Sequence, residues 1–65
     1  MELLLTQKLL LDGLKLFRVS KGQCMVIMML MDTEEKRWSL MEYMQKHLNA
    51  SEEEIMTQAR RITTA

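Results

Sequence analysis

One thiol and one imidazole are the residues from which nucleophilic chemistry would have to be built: Cys24 and His47 each occur once in 65 residues. A catalytic cysteine needs a base, and the base needs an orienting group. No third member is identifiable, and Cys24 opens the apolar run CMVIMMLM (24–31). A free cysteine in such company packs as a small hydrophobe. No enzymatic activity is expected, and no cofactor.

Thioether sulfur is the second candidate chemistry. Met25, Met28 and Met31 recur every three residues, as do Met41, Met44 and His47. Soft thioethers bind Cu(I). On a helix each step of three turns the side chain by about 60°, so three such groups fan over about 120° and do not converge on one ion. The methionines read better as contact surface, because Met-rich faces are adaptable and serve binding grooves. Met28, Met29, Met41 and Met44 could line a groove for a partner helix. Core filling is the competing use of each.

The carboxylates cluster as Glu34–Glu35 and Glu52–Glu54. Both clusters fall where helices should start, and capping with the helix dipole accounts for them. No calcium loop spacing is present, and no metal is expected. Helix three, the turn at 49–51 and helix four have helix-turn-helix proportions. In that motif the start of helix four would enter the major groove, where three glutamates would meet phosphates. That repulsion argues against DNA binding through helix four, and the alternative reading is a nucleic-acid-binding regulator that uses another surface. It would need a dimer that assembles Lys8, Lys15, Arg18 and Lys21 into a basic surface. Asn49-Ala50-Ser51 matches a glycosylation sequon in letters, without a sign of secretion.

The positioning elements are written in helix signals. Leu3, Leu10, Leu14 and Phe17 share one face of a first helix over about 3–17, and Leu5, Leu9 and Leu16 form a second stripe. Gly13 marks either a close helix approach or a break near Asp12. Ser20 and Gln23 have capping-box spacing, with Val19 and Cys24 at staple positions, and open a helix over 21–31. Its apolar side chains point all round, so it reads as a buried central helix. Asp32 or Thr33 caps a third helix. There Trp38, Leu40, Met41, Met44 and Leu48 take one side, Glu42 and Lys46 pair at i, i+4, and Asn49 is the expected C-cap. Ser51 and Glu54 form a second capping box, and Ile55, Ala59 and Ile62 make an apolar seam. Residues 63–65 should fray.

Size and composition bound the rest. The chain has eight Met, three aromatics, two Gly and no Pro, a composition suited to helices. Nine basic and nine acidic residues cancel, and no strong field for nucleic acid results. The start, MELLLTQKLLLDG, has no basic stretch ahead of its apolar residues, so no signal peptide is expected. The apolar run 24–31 is too short to cross a membrane. A cytoplasmic protein is expected. A domain of this size buries only about 60% of its unfolded surface. The expectation is thus one all-α domain over 1–65, a bundle of four short helices with a central apolar helix two. The second stripe of helix one (Leu5, Leu9, Leu16) should be covered by a homodimer or another protein. The expected role is a non-enzymatic protein–protein interaction module, a small regulatory or accessory protein.

Overall fold

A computed structural model describes residues 4–64 and shows four helices packed on one another: α1 (Leu5–Leu16), α2 (Lys21–Leu30), α3 (Glu34–Lys46) and α4 (Glu52–Thr64). The all-α expectation holds, and among the described residues there is no strand. Leu3, at the expected start of helix one, and Ala65 lie outside the described residues. α1 packs against α2 and α3, and α4 packs against the same two. Round the bundle the order is therefore α1, α2, α4, α3, and consecutive helices α2 and α3 face each other diagonally.

Each helix turns one stripe inward. The core comprises Leu10 and Leu14 of α1, Cys24 and Ile27 of α2, Leu40 and Met44 of α3, and Ile55, Met56 and Ala59 of α4; Val19 and Met31 of the connections complete it. This arrangement corrects the expectation that helix two is central. It has neighbours on two sides only, α1 and α4, so Met25, Val26 and Met29 face outward. The expected cover from helices one and three is supplied by one and four. Trp38 and Leu48, expected on the packed side of α3, are also exposed.

The caps follow from local chemistry with informative departures. The Ser51–Glu54 box is reciprocal: Glu54 N–H donates to Ser51 Oγ at 3.2 Å and Ser51 N–H to Glu54 Oε1 at 3.4 Å. Thr33, rather than Asp32, caps α3, its Oγ1 accepting from Lys36 N–H at 3.2 Å. Asp32 instead pairs with Lys36 Nζ at 3.0 Å. His47, not Asn49, is the C-cap of α3; Asn49 falls within the following turn. Thr63 and Thr64, expected to fray, are helical residues of α4. Both hydroxyls donate back into α4, to the Ala59 and Arg60 carbonyls, and extend the helix.

α1 runs unbroken through Gly13 and ends in a Schellman turn. Val19 N–H reaches Leu14 O and Arg18 N–H reaches Lys15 O, each at 3.0 Å. Leu14 and Val19, the hydrophobic pair of that motif, are both buried. The left-handed position, usually glycine, is occupied by Arg18 at φ 60°.

One charged side chain enters the interior. Arg37 is 4% exposed, with its Nε donating to Thr6 Oγ1 at 2.9 Å and its Nη1 to the Met31 carbonyl at 3.0 Å. Among the described residues no buried side-chain nitrogen or oxygen lacks a partner.

Two stability measurements test these contacts. Arg18→Gly should stabilise the fold by about 1 kcal/mol in urea denaturation, because glycine enters the left-handed region without the Cβ penalty. Thr6→Val should cost about 1–3 kcal/mol by orphaning a buried guanidinium donor. Adding Arg37→Met should restore part of that loss, because the charge then no longer has to be buried.

Candidate functional site

α1 carries an apolar face on each of two sides, and its neighbours make a groove of each. Toward α3, Gly13 permits close approach: a Cβ at that position would lie 3.3 Å from Met44 Cε. The resulting shallow groove, about 300 Å³, is lined by Leu9, Gly13, Leu16, Phe17, Trp38, Met41, Met44, Gln45 and Leu48. No charged residue lines it. Leu16 is 83% exposed, and Leu5, Leu9, Trp38 and Leu48 are exposed as well. Leu5 and Leu9 are one turn apart on α1 and extend the face toward the helix start.

Toward α2 the groove is larger, about 1010 Å³, with Leu11, Val19, Cys24, Met25, Met28 and Met29 as its apolar lining and Gln7, Lys15 and Lys21 beside them. Met29 is 78% exposed and Met25 is exposed, whereas Met28 is half-buried. Both lysines belong to the same end. Lys15 is in the last turn of α1 and Lys21 in the first turn of α2, on either side of the connecting turn.

The candidate residues read from the sequence therefore separate. Leu5, Leu9 and Leu16 are exposed on one side of α1. Met41 and Met44 line the same α1–α3 groove, Met41 half-buried and Met44 buried. Met28 and Met29 line the α1–α2 groove. A single groove formed by all four methionines is thus corrected to two, because α2 and α3 are diagonal in the bundle. Trp38, Leu48 and Met25 are additional surface residues, placed in the core by the wheel. The available signal was the length of the apolar run: helix 21–30 has apolar residues on more sides than two neighbours can cover.

Cys24 and His47 are not brought together as a pair. The thiol is buried and donates to the Val19 carbonyl at 3.6 Å. Burial pushes its pKa up, Lys15 partly opposes this and Glu52 adds to it. His47 is exposed and stacks on Tyr43 with ring centroids 4.3 Å apart. Among the described residues no three His, Cys, Asp or Glu side chains converge to hold a metal ion, and no helix is long and apolar enough to cross a membrane.

The acidic turn of α4 has a structural use. Glu52 Oε2 accepts the Ser20 backbone N–H at 2.7 Å, which occupies the position that Gln23 would take in a capping box at the start of α2. Ser20 Oγ still accepts from Gln23 N–H, at 3.4 Å. The Ser20 N–H lowers the Glu52 pKa. Lys36 lowers that of Asp32, and Lys46 that of Glu42. Glu54 serves Ser51.

The chain matches no known family model, no curated protein and no solved structure. Its surfaces are the ground for a functional reading.

The carboxylates predict the acid response. A carboxyl with a lowered folded pKa stabilises the fold above its ordinary value of 4.5 and loses that contribution as pH falls through the folded value. Stability followed by circular dichroism should therefore decline with acid below about pH 4.5. Glu52→Gln should flatten part of that decline and lower the melting temperature at pH 7.

Proposed function

We propose that this chain is a non-enzymatic protein–protein interaction module, a small helical regulatory or accessory protein, that pairs with a second copy through its α1–α3 face. The observation that carries this reading is the exposure of Leu5, Leu9, Leu16, Trp38 and Leu48 on and beside a groove with no charged residue in its lining. Contiguous apolar surface of this kind marks interaction sites, whereas isolated exposed hydrophobes do not. A two-fold pair brings the same patch from both subunits together. The groove lining itself is uncharged, and Asp12, exposed between Leu9 and Leu16 on the α1 stripe, has to lie at the rim of the pairing. Trp38 supplies an aromatic anchor of the type that dominates interface energetics. A single reduced cysteine fits a cytoplasmic setting.

Light scattering coupled to size exclusion tests the pairing. The expected result is twice the chain mass, reduced to the single-chain mass by Leu5→Lys plus Leu16→Lys with the helical spectrum unchanged. Both positions are mostly exposed, so the fold tolerates the charges. A wild-type chain that stays at single mass up to about 1 mM would overturn the pairing, since affinities weaker than that amount to about 4 kcal/mol or less.

A further inference from the structure

We infer that the α1–α2 groove is a docking site for an amphipathic helix of another protein whose apolar face ends in acidic residues. The proposal extends the interaction-module reading but uses a different face from the self-pairing one. The α1–α2 groove has an apolar floor of Leu11, Met25, Met28 and Met29, closed at one end by Lys15 and Lys21, with no carboxylate in its lining. Met25 and Met29 stand out into solvent, and thioether chains of this kind adapt to a helix laid between them.

The charge selects the occupant. A second copy set symmetrically on this groove either brings lysines against lysines or leaves both lysine ends without an acidic partner, since no carboxylate lines the groove. The acidic first turn of α4 is not such an occupant, because the Ile55, Met56 and Ala59 seam behind its glutamates is buried in the core. The groove is open along its length, and an acyl chain lying in it would keep one side in water. An amphipathic helix presents its polar side there. The floor from Gln7 to Lys15 extends about 12 Å at 1.5 Å per residue, which fits roughly two turns of a partner helix and its i, i+4 and i+7 anchors. Acidic residues in the partner's first turn would face the lysine end and are also favoured there by that helix's own dipole.

The test uses two fluorescent alanine-rich peptides with leucines at i, i+4 and i+7, one with three glutamates in its first turn and one with three lysines. Anisotropy titrations at low salt should show the glutamate peptide binding about fivefold more tightly, the preference that two exposed ion pairs provide. Raising the salt should erode that preference. Lys15→Glu plus Lys21→Glu should reverse it. Met29→Lys, at an exposed position, should abolish binding of both peptides without loss of helicity. Binding should persist in the Leu5→Lys plus Leu16→Lys chain, which separates this site from the self-pairing face. The proposal is overturned by three results: no binding of the glutamate peptide at about 1 mM, equal binding of both peptides, or a preference that the lysine substitutions do not change. Tight, lysine-dependent binding of oleate without peptide binding would also overturn it and assign the groove to a lipid.

Discussion

The guanidinium of Arg37 is the interior group around which α1, α2 and α3 have to agree. Burial of a cation is costly unless its hydrogen bonds are met. Its recorded partners, the Thr6 hydroxyl and the Met31 carbonyl, are neutral. Each lies on a different part of the chain. Thr6 sits in the first turn of α1, Met31 caps the end of α2, and Arg37 rises from the first turns of α3. The side chain thereby links α3 to the end of α2, its diagonal neighbour. A shift of any of the three segments would leave a charged donor unmet in a dry interior. Apolar side chains such as Leu10 and Ile27 impose no comparable angular requirement, so the network adds specificity of arrangement to a core that hydrophobic burial alone would hold less uniquely.

The same four-sided arrangement explains why so much apolar surface remains outside. Each helix has two neighbours, and each therefore buries one stripe. α4 has one stripe to bury, Ile55, Met56 and Ala59 with half-buried Ile62 beside them, and its other residues are polar. α1 and α2 have more. α1 buries Leu10 and Leu14 and exposes Leu5, Leu9 and Leu16; α2 buries Cys24 and Ile27 and exposes Met25, Val26 and Met29. The apolar surplus is a consequence of helix number and length, independent of any weakness in the core.

How much of this was legible depends on the range of the interaction. The Ser51–Glu54 box is a contact across three residues, and its reciprocal bonds appear as read. The Ser20 box is half local. Its hydroxyl serves Gln23 N–H as the spacing implies, but its backbone N–H is taken by Glu52, 32 residues away. Nothing in a spacing rule anticipates that competitor. Nothing in the sequence singles out Arg37, because only the fold places Thr6 opposite it. The end of α1 lacked its usual glycine, and Arg18 takes the left-handed position instead. The error over α2 is of a different kind. An all-round apolar helix was equated with a surrounded one, whereas the number of neighbours is a property of the whole bundle. The exposed stripe Leu5, Leu9 and Leu16 was legible because it required only helical period and a count of available cover.

The two faces of α1 differ in charge, and the helix geometry keeps them apart. Leu9 and Leu11 are two residues apart, which places them about 200° apart round the axis. Leu16 and Lys15 differ by about 100°. An occupant lying on the α3 side of α1 and another on the α2 side therefore approach from different directions, with the inward residues Leu10 and Leu14 between them. The α3 side has no charge in its groove, and the α2 side has two lysines at one end. A two-fold pairing of the second face offers Lys15 and Lys21 no acidic partner, since no carboxylate lines that groove. Hydrophobic burial alone would not discriminate between the two grooves, since both offer apolar floors. Electrostatics supplies the discrimination, through Lys15 and Lys21 at the second groove and the exposed Asp12 beside the first.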